Sequence, residues 1–240
     1  MIFSEGRKFH MEDGAILKKL TSPDLYDIAK NFHRNIDNHH RYASFDFCYA
    51  SFHPKTRKTE DLEKLCLQLG FYLASWGMLR GSSFLLQKSC RHYLPFVEFA
   101  IQLDESYWND DVDNYNFESV ERVYELYRKT SELIIPGKQK AETLISKILL
   151  GVFGNAPAFD QYFTKVMREI FKGDSAFRTF SPKNLLLLKD FYLANKEVID
   201  LLSNNQKLTA FDGKFESRIT YPKIKIIDAY GFYKGLKPLT

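Results

Sequence analysis

Thr59-Glu60-Asp61-Leu62-Glu63-Lys64-Leu65-Cys66-Leu67-Gln68-Leu69-Gly70-Phe71-Tyr72-Leu73-Ala74-Ser75-Trp76 decides the fold class. Leu62, Leu65, Cys66, Leu69, Leu73 and Trp76 recur at three- and four-residue spacing with the charges opposite, so the stretch is a helix that buries one stripe. Working outward, Ser22-Pro23-Asp24 and Ser181-Pro182 each place a hydroxyl that accepts first-turn amides before a proline whose φ suits the first helical position. Helices over 23–40 and 182–202 follow. The same reading gives helices over 44–52, 94–103, 140–153, 158–171 and 223–233, with one after Asn116 carrying Val120, Val123, Tyr124, Tyr127 and Ile134 on one face. No convincing strand pair is left. The expectation is an all-α fold of about nine helices, one compact domain over 1–240 packed as an orthogonal or irregular bundle, with 1–21 as a flexible N-terminal segment.

Composition supports a large aromatic core, with 21 Phe, 14 Tyr and 2 Trp among 240 residues. Cys48, Cys66 and Cys90 are odd in number and widely separated, which points to small buried hydrophobes in a reducing compartment. His33, His39 and His40 approach a zinc spacing without a cysteine pair, so no metal is assigned. The N-terminus has no signal-peptide apolar run and no segment has the roughly 18 apolar residues of a membrane span, so a soluble cytoplasmic protein without membrane contact is expected. Net charge is +4 but uneven: residues 98–125 hold nine acids against Arg122, whereas 30–58 hold six Lys or Arg against two acids. Such an asymmetry steers a polyanion onto the basic faces.

Four stretches hold residues able to do chemistry. In 74–86, Arg80 between Gly77 and Gly81, followed by Ser82 and Ser83, gathers a guanidinium, hydroxyls and free amides as an oxyanion or phosphate would need; a tight helix crossing capped by Ser82 is the structural alternative. In 136–160, a glycine-punctuated turn between two helices, flanked by Lys138, Lys140 and Lys147 and containing Asn155, suits a nucleic-acid phosphate, with Asp160 in the first turn of the next helix, where it stabilises that terminus in any case. Arg34 with His39 or His40 has a spacing used by one class of helical ribonucleases. At the C-terminus, Lys223 and Asp228 are candidates for a shared cleft with Trp76 and Tyr162, on a helix that otherwise completes the core. No Walker loop, dinucleotide fingerprint, Gly-x-Ser-x-Gly or His-Glu-x-x-His occurs, which makes those enzyme classes poor fits, and no cofactor is implied.

The string FYLASWGMLRGSSFLLQ, with KILLGVFGNAPAFDQYF and YPKIKIIDAYGF, resembles the motifs of a bacterial all-helical family of about this length, over 49–235. That resemblance implies a fold and no activity. The order Lys147, then Pro157-Ala158-Phe159-Asp160, is also similar to helix-hairpin-helix DNA glycosylases. It implies that Asp160 stabilises charge at a sugar, that Lys147 contacts DNA or acts as an amine nucleophile, and that a flipped base enters an aromatic pocket. The leading expectation is a nucleic-acid-associated, glycosylase-like protein. The alternatives are a noncatalytic module that meets a protein partner through acidic segment 104–113, and a phosphate-ester or nucleotide enzyme built on the Arg80 turn.

Overall fold

Side-chain caps fix where the helices begin, and two helices buried over most of their length fix where the rest must pack. A computed structural model describes residues 20–34, 39–58, 61–137, 139–172, 177–216 and 218–236; the expected flexible segment 1–21 falls almost wholly outside them. Among the described residues eleven α-helices follow in order: α1 (Leu25–Arg34), α2 (Ser44–Phe52), α3 (Leu62–Ser75), α4 (Leu94–Ile101), α5 (Ser106–Asn109), α6 (Phe117–Ile134), α7 (Glu142–Phe153), α8 (Gln161–Ile170), α9 (Pro182–Ala194), α10 (Lys196–Asn205) and α11 (Lys223–Leu236). A hairpin of two short antiparallel strands, β1 (Leu208–Thr209) and β2 (Phe215–Glu216), pairs Leu208 with Glu216 and Thr209 with Phe215.

The all-helical class holds, and several boundaries move. The expected 182–202 helix is broken at Asn195, whose side-chain amide donates to the carbonyls of Phe191 and Leu20 at 2.8 and 3.0 Å, so α9 and α10 are separate. The 158–171 helix starts only at Gln161, because Asp160 stays extended and caps it. A short helix, α5, forms inside the acidic segment 104–113, where no helix was expected. The hairpin was not foreseen.

Asp61, Asn116, Asp160 and Ser181 accept first-turn amides of α3, α6, α8 and α9. In α7 every residue from Leu144 to Phe153 is buried, and in α11 every residue from Ile224 to Phe232. A helix buried all round is a central one. Around them α2, α3 and α6 pack on α7, while α1, α8 and α10 pack on α11. The start of α11 is held from far away: Asp111 accepts the amides of Lys223 and Ile224 at 2.6 and 2.9 Å.

Close approach to α7 depends on Gly151. A Cβ there would stand 2.3 Å from Tyr72 Cε1, and Tyr72 is anchored by its hydroxyl donating to the Lys147 carbonyl at 2.9 Å. Alanine normally favours a helix over glycine by about 1 kcal/mol, whereas overpacking a core costs roughly 1–3 kcal/mol. With an immobile ring as the neighbour, the clash wins. Gly151→Ala lowers the urea midpoint and the melting temperature; a gain in stability would show that Tyr72 yields freely.

Candidate functional site

The two central helices each carry a lysine into the interior. Lys147 of α7 is 3% exposed and Lys225 of α11 is 1% exposed. Lys147 Nζ lies 3.3 Å from Asp160 Oδ2, and Lys225 Nζ 2.6 Å from Asp228 Oδ2. Each carboxylate has a second task. Asp160 Oδ1 accepts the amides of Tyr162 and Phe163, and Asp228 Oδ1 accepts the Ala158 amide at 2.9 Å. Ser146 completes the frame by accepting the Phe159 amide at 2.8 Å. The extended stretch before α8 is thus pinned by side chains of both central helices.

Aromatic rings wall the cluster. The Trp76 ring centroid lies 4.4 Å from Lys225 Nζ and 4.9 Å from Lys147 Nζ, and Phe45 and Phe32 also approach Lys225. Tyr42 stacks on Trp76 at 4.4 Å, and the Arg41 guanidinium lies over the Tyr42 ring while donating to its hydroxyl. The Trp76 indole N–H is buried and meets no acceptor among the described residues. Burial pushes the Lys147 ammonium below its usual range and Lys225 adds to the effect, while Asp160 and Asp228 oppose it. Near the cluster, burial pushes the Asp46 carboxyl up to about 7, against the Thr209 amide and Lys225, and pushes the His33 imidazole down to about 3 with help from Lys225.

Of the residues singled out in the sequence, the structure brings together Lys147, Asp160, Asp228 and Trp76, with Tyr162 alongside: its amide goes to Asp160 and its ring meets Phe232, which packs on Trp76. Arg80 does not join them. The chain leaves α3 through Gly77 and Gly81, both at positive φ, and Arg80 is exposed with its guanidinium lying back over Gly77. Ser82 is exposed and caps nothing; Ser83 caps the next turn through the Leu85 amide. Lys140 is exposed, and Lys138 lies outside the described residues. Asn155 is fully buried, its amide donating to the Tyr107 carbonyl and its own carbonyl accepting from Tyr115, so no phosphate reaches it.

Lys223 does not share a cleft with Asp228. It pairs with Asp113 at 2.5 Å and Asp200 at 3.7 Å beside an open cleft of about 270 Å³, where Glu105 holds Lys55, Glu216 holds Arg218 and Asp111 accepts the amides of Lys223 and Ile224. The acidic segment is likewise occupied: Asp110 holds Arg122 in a two-pronged pair, Asp111 caps α11, Asp113 holds Lys223, and Glu105 pairs with Lys55. His40 accepts the Tyr42 amide, and the Arg34 side chain lies outside the described atoms. Among the described residues no helix is long and apolar enough to cross a membrane.

One member of the site escaped the sequence reading. Lys225 sits in Ile224-Lys225-Ile226-Ile227, and a lone lysine inside an apolar run, three residues before an aspartate, was the available signal. Comparison of the chain with family models, curated proteins and solved structures yields no match.

Removing one partner of a buried pair leaves the other charge stranded, at a cost of roughly 3–5 kcal/mol. Asp228→Asn leaves Lys225 without its nearest carboxylate and destabilises by about that amount in urea titrations. Asp160→Asn costs less, since asparagine caps a helix nearly as well as aspartate and Asp228 still faces Lys147. Equal losses would contradict this division of roles.

Stability also has an unusual pH dependence. Asp46 is raised to about 7 and Asp111 to about 6, both mainly by burial, from an unfolded value of 3.8. Over that window these two carboxyls hold protons in the folded chain that they release on unfolding, a gain as pH falls through 7 and 6, whereas His33 and His53, held near 3 and 4 against an ordinary 6.5, work the other way below about 6.5. The stability of the wild type relative to Asp46→Asn therefore rises as pH falls from 8 to 5; a difference that stays level or shrinks over that range would contradict it.

Proposed function

We propose that this chain acts on nucleic acid as a base-excision enzyme, with Lys147 as the reacting amine and Asp160 as the carboxylate beside it. The observation that carries the reading is the buried Lys147–Asp160 pair under the Trp76 ring. Apolar residues of similar volume stabilise a core at least as well as a buried ion pair, so such a pair with a displaced ammonium is where function is first sought. The Tyr42–Trp76 stack supports the same reading, because an unstacked base binds by stacking on aromatic faces. Arg41 and the exposed His40 lie at its outer edge, where a phosphate would pass.

Entry requires Tyr42 to leave its place on Trp76. In the step itself the Lys147 nitrogen, in its free amine form, attacks the sugar carbon of the glycosidic bond. The base departs with the bonding electron pair, and the proton lost from nitrogen passes to Asp160 or to the leaving base. Asp160 meanwhile stabilises the positive charge that develops on the sugar. The Arg80 turn and the acidic segment 104–113 offer no comparable grouping.

Fluorescence polarisation with duplex and single-stranded oligonucleotides at rising salt tests binding, which should weaken steeply as salt rises. Borohydride reduction in the presence of an abasic-site oligonucleotide tests the amine: the wild type forms a covalent adduct and Lys147→Met forms none. Absence of binding even at low salt overturns the nucleic-acid assignment. Salt-sensitive binding with no adduct overturns the role of Lys147.

A further inference from the structure

A hydrogen bond across 163 positions ties the hairpin to the core, the Thr209 amide donating to Asp46 Oδ2 at 3.0 Å. Behind that bond lies a small, largely enclosed void of about 20 Å³ bordered by His33 of α1, Asp46 of α2 and Lys225 of α11, with Tyr42 and Tyr221 among its walls. His33 Nε2 is buried there and has no hydrogen-bond partner among the described residues. Orphaned buried polar atoms are uncommon in folded proteins, and an unplaced water is an ordinary explanation of one. A void needs at least about 10–15 Å³ to hold a water, and the water needs two to four polar partners. This void has room for one molecule and little more.

We propose that the void is a permanent hydration site, in which a single water molecule accepts from Lys225 Nζ and donates to His33 Nε2 and to the Asp46 carboxylate. Each side chain is suited to its share. The imidazole is held neutral, so with its proton on Nδ1 its Nε2 is an acceptor. The Lys225 ammonium has three protons and Asp228 accepts one of them. The Asp46 carboxylate has lone pairs left after the Thr209 amide.

The groups that face Asp46 are the Thr209 amide from the hairpin, His33 from α1, Lys225 from α11 and the Tyr221 ring ahead of α11, which lies edge-on to His33. The water joins the hairpin latch to the Lys225–Asp228 pair, so that a proton taken up at Asp46 is felt in the lysine cluster. This inference does not depend on any reaction at Lys147.

Magnetic relaxation dispersion of water oxygen-17, recorded on the full chain, counts long-lived internal waters. His33→Phe fills the void and removes the acceptor, and His33→Leu removes the acceptor while leaving an apolar space that stays dry. Near-ultraviolet circular dichroism selects the variant that keeps its fold. The expected result is one long-lived water fewer than in the wild type, with the Asp46 carboxyl, followed by carbon-13 NMR, titrating at higher pH because its ionised form has lost a donor. An unchanged water count, or an Asp46 midpoint that does not move upward, overturns the proposal.

Discussion

Two ammonium groups and two carboxylates share the interior between α7 and α11, and the packing around them has to keep those four charges together and out of bulk water. Taking a lysine out of water costs several kcal/mol after relaxation. That cost is offset only if each ammonium finds its carboxylate at hydrogen-bond distance and each carboxylate fills its remaining lone pairs. Both conditions are met. Asp160 and Asp228 divide their oxygens between a lysine and the backbone amides of residues 158, 162 and 163. The lysine stems meanwhile pass among aromatic rings, and Trp76 lies within 5 Å of both charges.

This constraint explains features that otherwise look unrelated. The stretch ahead of α8 is extended rather than helical because its amides are needed by Asp228 and Ser146. Gly151 and Gly231 stand where a Cβ would collide with Tyr72 and Phe163, because the central helices have to be approached closely for the pairs to form. Asp111 fixes the start of α11, and with it the depth at which Lys225 and Asp228 enter the core. A small error in that depth would separate charges that are stable only in contact.

How much of this was legible in the sequence depended on distance along the chain. Lys147 and Asp160 are 13 residues apart across one glycine turn, so local rules suffice to suggest that they meet. The helical class was equally local, written in three- and four-residue spacing and in caps such as Ser181. Contacts such as Asp46 with Thr209, or Asp111 with the start of α11, join residues more than 100 positions apart and leave no periodic trace. Lys225 was hidden for a different reason. A lysine reads as a solvated charge by default, and only its isoleucine neighbours hinted otherwise. Arg80 shows the converse: Gly77-Met78-Leu79-Arg80-Gly81 looked like a binding turn, yet its positive-φ glycines send the arginine to the surface.

The paired charges can be observed without reference to any substrate. Ammonium protons of exposed lysines exchange with water too fast to survive in nitrogen-15 correlation spectra near neutral pH, whereas those of a buried, hydrogen-bonded lysine persist. Spectra of the full chain should hold two persistent lysine ammonium signals, one lost in Lys147→Met and the other in Lys225→Met. Spectra in which no lysine ammonium persists, in a chain otherwise well folded, would contradict the buried pairs on which the architecture rests.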